Sequence, residues 1–538
     1  MQGKAVSEGI AIGVLTVYRK HIRTGSITGH LGSVDEISRF NSARAEAVKQ
    51  LEQLRDTATK EGNNVNVALL NSYLVMAQDP AYVEAVEKRI RENPLPAEVA
   101  VEKTRDSICR LFSSMDDEYM RARAEDISDI SDRVLRILMG QNHPVVSVPD
   151  GKVILLADDL TPSETMQLDK DSILAFVTRR GSNLSHTAIL ARSMNIPAIV
   201  ALDYPSDCDG KMAIVDAYSG TLIIDPTEAE LDSYRKRKEE LELREKTLAA
   251  LKSEECMTLD GKHIGLMANV GSIEDIKKAV EYGCEGIGLF RSELFYLDRD
   301  DYPSEEEQFK AYVEAVHMLD GKELIVRTID IGADKQEPYM QFKHEDNPAM
   351  GMRAVRYCLG HKNVFSTQLK AIMRAAVYGP VSILIPMLIS IEEVWQVRSV
   401  IAEAKTELDR EGKEYRECRL GAMIETPAAA VISDLMAKEV DFFSIGTNDL
   451  TQYTLAVDRQ NTALEFICDY HHQAILRLLN TIISNAHDNG KKVCVCGELA
   501  ADTTFTGDLL RMGVDELSVA PGSLLKVKQA VRGSRIKV

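Results

Sequence analysis

The second half of the sequence alternates short apolar runs with longer amphipathic runs, and this alternation repeats eight times between residues 261 and 538. Short apolar runs are typical of buried strands, and the amphipathic runs between them have the spacing of helices that bury one face. Eight strand–helix units in a segment of this length predict a (β/α)8 TIM barrel. The predicted strands begin near His263, Gly286, Glu323, Val381, Arg419, Val440, Lys491 and Val514.

Polar and charged side chains stand at the carboxyl ends of the predicted strands. They follow the second, third, fifth, sixth and seventh apolar runs, and one more follows shortly after the sixth. Parallel barrel strands end at one mouth, where the active sites of such barrels form. We therefore expect the following side chains to meet there: Arg291, Arg327, Glu425, Asn448, Asp449, Arg459 and Cys496.

The residue types in this set suit a small anion that carries more than one charge. Guanidinium groups bind phosphate and carboxylate oxygens with paired hydrogen bonds, which suits Arg291, Arg327 and Arg459 to an ester that carries both groups. Glu425 and Asp449, on neighbouring strands, suit a Mg²⁺ ion whose other ligands are substrate oxygens and water. Together these groups would neutralise the charge on a phosphoryl group in transfer.

Cys496 is a candidate acid or nucleophile, because a cationic site tunes the pKa of a thiol. Each residue of the set also has an ordinary explanation when it is taken alone. Arg291 and Arg327 would then be surface ion-pair partners. Glu425 would cap the following helix, and Cys496 would be an inert buried thiol. The joint placement of the set at strand ends favours the chemical interpretation.

The first half of the sequence changes pattern several times. Residues 3–19 alternate like a short β segment, and a helical pattern then extends from 33 to 139. Strand-like runs return and end near 226, and a charged stretch without glycine or proline follows. These changes predict an α/β domain over 1–32 and 140–226 with a helical subdomain inserted at 33–139, a helical linker at 227–260 and the barrel at 261–538.

His186 lies in a second chemically distinctive stretch, residues 181–192. A loop of small residues leads into an apolar helical run, which places the imidazole near a helix N-terminus, where backbone N–H groups favour an anion. A neutral imidazole is a competent nucleophile, and Thr165 is a candidate hydrogen-bond partner for the ring. The alternative is an incidental histidine that follows an N-cap at Ser185.

The overall composition excludes several classes of protein. The net charge of −19 argues against a nucleic-acid-binding protein, because such proteins present a basic surface. The N-terminus lacks an apolar signal segment, and no apolar run is long enough to span a membrane. Nine scattered cysteines fit free thiols in a reducing cytosol. We therefore expect a multidomain cytoplasmic protein with no nucleic-acid partner and no stable membrane association.

Three stretches carry a resemblance to a known family: residues 326–332 (VRTIDIG), 425–430 (ETPAAA) and 441–453 (DFFSIGTNDLTQY). Over nearly its whole length the chain resembles enzyme I of the bacterial phosphoenolpyruvate:sugar phosphotransferase system, a family of phosphoenolpyruvate-protein phosphotransferases. The resemblance implies a multidomain α/β protein with a swivelling phosphohistidine domain, an inserted helical bundle, a long helical linker and a C-terminal TIM barrel.

The resemblance also implies a reaction and its participants. His186 accepts the phosphoryl group of phosphoenolpyruvate and passes it to the histidine-containing phosphocarrier protein, which docks on the inserted helices. Cys496 donates the proton that turns enolpyruvate into pyruvate, and Glu425 with Asp449 binds Mg²⁺. The family acts as a homodimer through its barrel domains. The residues that bind phosphoenolpyruvate are Arg291, Arg327, Asn448, Asp449 and Arg459.

Two other interpretations compete with this one. Pyruvate phosphate dikinase and phosphoenolpyruvate synthase resemble the chain in the histidine and barrel domains, but they need a large ATP-binding domain, and the region before residue 151 has no glycine-rich phosphate loop. A catalytically altered regulatory paralogue that binds phosphoenolpyruvate is expected to lack His186, Cys496 or a metal carboxylate, and all are present. The loop at 181–184 (GSNL) departs from the family, which usually has an arginine and a hydroxyl there.

Overall fold

The computed structural model of the protein describes most of the chain. The described residues are 1–18, 32–60, 64–113, 118–140, 152–158, 160, 172–181, 187–188, 191–192, 196–297, 299–332, 337–340, 342–459, 461–464 and 466–536. They belong to two compact units, Met1–Leu241 and Glu242–Val538.

A mixed sheet of seven strands organises the first unit. Its strands are β1 (Lys4–Ser7), β2 (Ile10–Tyr18), β3 (Val153–Ala157), β4 (Ile173–Thr178), β5 (Ala198–Val200), β6 (Met212–Asp216) and β7 (Thr221–Ile224). They lie in the order β1-β5-β4-β3-β2-β6-β7. The strands from β2 to β5 pair in parallel, and the other pairs are antiparallel. β3 is central and buried along its whole length, which explains its uninterrupted apolar sequence.

The structure describes five helices between β2 and β3: α1 (Ser33–Lys60), α2 (Asn64–Ala77), α3 (Pro80–Glu92), α4 (Ala97–Ser113) and α5 (Glu118–Leu138). Their apolar residues form two clusters separate from the sheet. One cluster contains Phe40, Val86 and Val101, and the other contains Leu51 and Leu70. The helices therefore bury their apolar stripes against one another.

A long helix, α6 (Glu228–Ala250), follows the sheet, and the division between the two units falls inside it. Its first turns pack on the first unit. Leu231 joins an apolar cluster with residues of β2 and β6, and the Arg237 guanidinium lies 2.7 Å from the Asp216 carboxylate. Residues 242–247 are all exposed, as the charged sequence of this stretch leads us to expect.

The second unit contains a closed barrel of eight parallel strands, which confirms the (β/α)8 prediction. The strands are β8 (Gly265–Val270), β9 (Gly286–Arg291), β10 (Glu323–Arg327), β11 (Val381–Ile385), β12 (Arg419–Ile424), β13 (Phe442–Gly446), β14 (Lys492–Cys496) and β15 (Glu516–Val519). Each begins within two residues of its predicted start.

The described helices around the barrel follow the strands in turn. They are α7 (Ile273–Glu281), α8 (Glu305–Leu319), α9 (Ala354–Gly360), α10 (Lys362–Ala375), α11 (Ile391–Glu411), α12 (Pro427–Val431), α13 (Ser433–Glu439), α14 (Thr447–Leu455), α15 (Gln473–Asp488), α16 (Glu498–Ala501), α17 (Thr506–Met512) and α18 (Leu524–Arg532). No helix among the described residues combines the length and the apolar character needed to cross a bilayer.

Side chains fill the barrel interior, as in other barrels of this size. An apolar cluster takes one residue from each of six strands: Leu289, Ile325, Leu384, Met423, Phe442 and Cys496. Gly421 makes room for the Phe442 ring, since an added Cβ would lie 2.3 Å from its Cζ atom. The filled interior leaves the strand ends above it as the place for a ligand.

Candidate active site

A cavity of about 610 Å³ opens at the carboxyl ends of the barrel strands. All of the residues that the sequence predicts for this mouth line it: Arg291, Arg327, Glu425, Asn448, Asp449, Arg459 and Cys496. Further charged residues line it as well: Glu293, Asp330, Arg353, Asp458 and Glu498. The convergence follows from the parallel barrel, in which every strand ends at the same mouth.

Arg327 is a buried cation that two carboxylates hold. It ends β10, and its guanidinium lies 2.6 Å from Glu293 and 3.0 Å from Asp330. Burial alone would lower the pKa of Arg327, but Glu293 and Asp330 raise it above its usual range. The guanidinium therefore stays charged and keeps a fixed orientation at the cavity wall.

Arg353 is a second buried cation, and the sequence analysis does not identify it. Its guanidinium lies 2.8 Å from Asp330, donates a hydrogen bond to the Tyr453 hydroxyl at 3.0 Å and lies 3.7 Å from Asp449. It enters the cavity from the long loop after β10, so a search of strand ends alone does not find it. One feature of the sequence could have indicated it: Arg353 is an arginine in the loop after β10, and β10 itself ends in the predicted site residue Arg327.

Arg291 and Arg459 are more exposed than this inner pair of arginines. Arg291 ends β9 with its side chain exposed. The backbone N–H of Arg459 donates to Gln452 Oε1 at 3.2 Å, and its guanidinium lies 3.8 Å from Asp449 Oδ1. The cavity thus has two inner and two outer cations, which suits an anion with charge at both ends.

Glu425 and Asp449 are buried carboxylates that follow the neighbouring strands β12 and β13. Glu425 Oε1 accepts a hydrogen bond from the Met387 N–H at 2.8 Å. Burial, with the charge of Asp449 added to it, raises the pKa of Glu425 above its usual range. Asp449 Oδ1 is buried without a hydrogen-bond partner. Arg353 and Arg459 lie 3.7 Å and 3.8 Å from Asp449 Oδ1, but the raised pKa of Glu425 indicates that these arginines do not fully compensate the pair, so a further cation would be favourable there.

The donor chemistry of this pair fits Mg²⁺. Proteins usually bind Mg²⁺ through one or two carboxylates, and substrate oxygens and water complete the octahedron. The described residues contain no group of three or more His, Cys, Asp or Glu side chains placed to hold a metal, so a metal here would need such outside ligands. Asp449 Oδ1 accepts no hydrogen bond from the described residues, so it is the oxygen available to coordinate the cation.

Cys496 ends β14 and is buried at the floor of the cavity. Its thiol donates to the carbonyl of Ile445 at 3.3 Å and lies 3.5 Å from the Ser444 hydroxyl. Burial raises the pKa of the Cys496 thiol to about 11, although the Ser444 contact lowers it somewhat. The thiol is therefore protonated at neutral pH, which favours the acid over the nucleophile among the two roles that the sequence left open.

Gly497 joins the ends of β13 and β14. Its φ angle is +96°, and an added Cβ would lie 2.5 Å from Thr447 Oγ1 and 2.8 Å from Asn448 Oδ1. Across this close approach the Thr447 hydroxyl donates to the Cys496 carbonyl at 2.9 Å, and the Glu498 N–H donates to Asn448 Oδ1 at 3.0 Å. The Asn448 oxygen is thereby occupied, so its NH₂ group is the part free to donate to a ligand.

His186 lies outside the described residues, and so does Thr165. The described residues that follow the histidine, Thr187 and Ala188, are buried. The other predicted site residues all line the cavity, and position 186 falls within the residue range of the first unit, Met1–Leu241.

Fold and site together define a class of enzyme. A TIM barrel whose mouth carries converging arginines, paired carboxylates and a protonated thiol is suited to a phosphorylated carboxylic acid. Models of the phosphoenolpyruvate-utilising enzymes match the chain in three parts: the N-terminal domain at residues 2–123, the mobile domain at 149–220 and the phosphoenolpyruvate-binding domain at 245–536.

Full-length relatives narrow the class to a family. The phosphoenolpyruvate-protein phosphotransferase of Priestia megaterium is 39% identical over 543 residues, which cover 99% of this chain and 93% of that protein. The enzyme of the same name from Listeria monocytogenes is 39% identical over 535 residues, covering 99% and 94%. The chain therefore belongs to the family of phosphoenolpyruvate-protein phosphotransferases.

Proposed function

We propose that the chain transfers the phosphoryl group of phosphoenolpyruvate to its own His186 and then to the histidine-containing phosphocarrier protein of the sugar phosphotransferase system, releasing pyruvate. The observation that carries the proposal is the cavity itself, in which four arginines, four buried carboxylates and a protonated thiol meet at one barrel mouth. The match of the mobile-domain model to residues 149–220, which include His186, supports the acceptor assignment.

The arginines bind the two anionic ends of phosphoenolpyruvate. Arg291, Arg327 and Arg459 contact phosphate and carboxylate oxygens, and Asn448 donates through its NH₂ group. Arg327 contributes most to orientation, because Glu293 and Asp330 already hold its guanidinium in place. Preorganised cations of this kind stabilise the charge that develops on a transferring phosphoryl group.

Glu425 and Asp449 are the residues that would hold Mg²⁺, and we assign Asp449 a contact with the substrate as well. When bound, the ion supplies charge neutralisation for the phosphoryl oxygens. The two carboxylates lie in the same cavity as the arginines. A bound divalent ion would offset the two negative charges of Glu425 and Asp449, so that these carboxylates would not repel the anionic substrate.

Cys496 completes the conversion of enolpyruvate to pyruvate. The P–O bond of phosphoenolpyruvate breaks as a P–N bond forms at His186, and the enolate of pyruvate remains in the cavity with the electron pair of the broken bond on its oxygen. Its methylene carbon takes the proton of the Cys496 thiol, which forms a C–H bond and leaves a thiolate that water reprotonates. The thiol is suited to this step because its pKa of about 11 keeps the proton on sulfur at neutral pH. The proton is therefore available when the basic methylene carbon forms.

We also infer that the barrel mediates a homodimer. Exposed apolar side chains occur on the loop after β10 and on the helices after β11 and β12: Met350, Met352, Trp395, Val431 and Leu435. These three strands are neighbours in the barrel, and apolar side chains exposed on adjacent elements are typical of an association surface. We assign the binding of the phosphocarrier protein to the inserted helices of the first unit.

A cytoplasmic location follows from the same proposal. All nine cysteines are free thiols, including the proposed acid Cys496. Free thiols of this number fit a reducing compartment, and phosphoenolpyruvate is an intracellular metabolite.

The experiment that tests the proposal combines the purified chain with phosphoenolpyruvate, Mg²⁺ and a purified histidine-containing phosphocarrier protein. We expect one pyruvate to be released for each carrier molecule phosphorylated. His186→Ala should abolish both products while the protein still binds phosphoenolpyruvate. Carrier phosphorylation that survives in His186→Ala would contradict the proposal.

A further inference from the structure

Gln368 is a buried amide that takes no direct part in the proposed binding or chemistry of phosphoenolpyruvate. It lies on α10, and it is fully buried beside Phe365, Leu369 and Ile372. A buried amide costs free energy unless its polar atoms are hydrogen-bonded, whereas a methionine of similar size would pack in this position without that cost. The hydrogen bonds of Gln368 therefore indicate what the amide does.

The carboxamide of Gln368 connects two strand ends at the barrel mouth. Nε2 donates to the Ser292 hydroxyl at 2.8 Å, and Oε1 accepts from the backbone N–H of Ile329 at 3.1 Å. The Ser292 hydroxyl in turn donates to the backbone carbonyl of Arg327 at 2.6 Å. One side chain thus holds the backbone on both sides of Thr328, directly on one side and through Ser292 on the other.

These contacts connect the two turns that carry Arg291 and Arg327. Ser292 lies between Arg291, which faces the cavity, and Glu293, which pairs with the Arg327 guanidinium at 2.6 Å. Gln368 therefore fixes the turn that carries Arg291 and Glu293 relative to the turn that carries Arg327. It does not itself line the cavity.

A second layer of buried polar groups holds the amide. Gln368 Nε2 also donates to the Tyr312 hydroxyl at 3.3 Å, and that hydroxyl donates to Gln308 Oε1 at 3.4 Å. Gln308 Nε2 donates to the carbonyl of Pro303 at 3.1 Å, and Tyr296 donates to Gln308 Oε1 at 3.0 Å. Because the side chains of this network are buried and satisfied, the amide has one well-defined orientation.

We propose that Gln368 is a positioning residue for the phosphoenolpyruvate site. Through Ser292 and the backbone of Arg327 and Ile329 it sets the distance between the Arg291 and Arg327 guanidinium groups. The inference rests on the proposed function, since it assumes that these two arginines bind phosphoenolpyruvate. Supporting groups of this kind matter because a displacement of about 1 Å at a reacting group can cost about a hundredfold in rate.

The test measures kcat and KM for phosphoenolpyruvate in full-length variants with Mg²⁺ and the phosphocarrier. Gln368→Met should lower kcat/KM about tenfold, mainly through a higher KM, because the arginines lose their fixed spacing. Ser292→Ala should act in the same direction. The loss in the double variant should be smaller than the product of the two single losses, because both changes remove the Gln368–Ser292 hydrogen bond that they share, while each also removes one bond of its own.

Leu369→Val is the matched control, since Leu369 is the next residue of the helix and is equally buried. It should lower the melting temperature with kcat/KM within about twofold of the unmodified chain. Phosphoryl exchange between the phosphorylated carrier and His186 should be unchanged in every variant, because it does not use the barrel.

The inference is overturned if Gln368→Met keeps the original kcat/KM, if Leu369→Val loses as much activity, or if the effects of Gln368→Met and Ser292→Ala multiply. If Gln368→Met fails to fold, the comparison of Ser292→Ala with Leu369→Val decides the matter alone. An unmodified chain that releases no pyruvate would instead contradict the proposed function itself.

Discussion

At the scale of single residues, Asp449 is the most demanding assignment, because one carboxylate is proposed to serve both metal and substrate. Its Oδ1 is buried, accepts no hydrogen bond and has only longer ion-pair contacts with Arg353 and Arg459, so we expect Asp449→Ala to remove a ligand and to retain the fold. We expect phosphorylation by phosphoenolpyruvate to fall by two or more orders of magnitude, about the loss expected when phosphoryl charge is no longer neutralised. Rapid-quench measurement of phosphohistidine, with circular dichroism to monitor folding, checks this.

Glu498→Ala is the control for Asp449. Glu498 also lines the cavity, but its side chain is exposed. This variant should keep much more activity than Asp449→Ala, because the Glu498 carboxylate is exposed to solvent and is not a proposed ligand of the metal. Normal phosphorylation of Asp449→Ala with Mg²⁺ would remove Asp449 from the site.

Cys496 is the second residue whose role can be isolated. Cys496→Ala removes the buried proton donor, so pyruvate release should fall by about two to four decades. Phosphoryl exchange between His186 and the carrier should continue, because that exchange does not use the thiol. Cys494→Ala, two residues earlier on β14 and equally buried, should retain pyruvate release. Unimpaired pyruvate formation by Cys496→Ala would contradict this role and would leave Cys496 with packing in the barrel as its only function.

The residues of the cavity were predictable from the sequence to an uneven degree. Arg327 and Glu425 follow apolar runs, so the rule that barrel sites form at strand ends was enough to place them. Arg353 enters from a loop, and no local pattern reports the distance of a loop residue from the mouth. The Glu293–Arg327 pair and the role of Gln368 depend on contacts between separate strands and helices, which spacing along the chain does not reveal.

At the scale of elements, the packing of α18 defines where the barrel unit begins. The buried ammonium of Lys528 donates to the carbonyls of Glu254 at 3.0 Å, Lys252 at 3.3 Å and Gly283 at 3.4 Å. Residues 252–254 precede the predicted barrel boundary at 261. A piece that starts at 256 would leave the ammonium without two of its three acceptors.

A pair of truncations tests this packing. The piece 242–538 should unfold at a higher temperature than the piece 256–538. Lys528→Met should destabilise the longer piece by about 2 kcal/mol, because the carbonyls lose a charged donor. In the shorter piece the same change should have little effect or stabilise, since the ammonium there is buried and poorly satisfied. Equal effects of Lys528→Met in both pieces would contradict this role.

Asp216 makes the stability of the first unit depend on pH. Burial would raise the pKa of Asp216, but hydrogen bonds from Ser219, from the Tyr218 N–H and from Arg237 lower it below its usual range. A lowered folded-state pKa gives stability that is present above the unfolded pKa of about 4 and is lost as the pH falls through the folded value. The contribution should therefore be complete at neutral pH and disappear in acid.

Asp216→Asn, made in the piece 1–255, tests this. Urea unfolding at pH 7 should show a loss of about 2 kcal/mol, because bonds to a charged acceptor are weakened. The difference from the unmodified piece should shrink as the pH falls below the unfolded pKa of about 4 and through the lowered pKa of folded Asp216. Asp225→Asn is the control, because the Asp225–Lys211 pair is exposed and should contribute little. A difference that does not change with pH would contradict the assignment.

Strands and helices were easier to predict than the contacts between side chains of the site, because a strand or helix of several residues shows in the periodicity of its own sequence. All eight barrel strands lie close to their predicted starts. In the first unit the strand-like runs predicted after the helical region are 153–156, 173–177, 198–200 and 221–224, so β6 was not predicted. Its short apolar run becomes recognisable as a strand only through its pairing with β2 and β7. The single β segment predicted at 3–19 is two strands, because Gly9 has a φ of +143° and breaks the extended run.

At the scale of the whole molecule, the proposed acceptor and the proposed chemistry belong to different units. His186 lies in Met1–Leu241, whereas the cavity residues lie in Glu242–Val538. The piece 1–255 should therefore exchange phosphoryl groups with a phosphorylated carrier but fail to use phosphoenolpyruvate. The piece 242–538 should bind phosphoenolpyruvate and Mg²⁺ in isothermal titration calorimetry without forming phosphohistidine. Direct phosphorylation of the piece 1–255 by phosphoenolpyruvate would contradict this division.

The measurement that tests the central claim most directly is the intact mass of the full-length chain after incubation with phosphoenolpyruvate and Mg²⁺, followed by peptide mapping. We predict one added phosphoryl group per chain, labile in acid and stable in base, located on His186 and dependent on Mg²⁺. A chain that remains unmodified while binding phosphoenolpyruvate, or that carries the phosphoryl group on a residue other than His186, would contradict the claim.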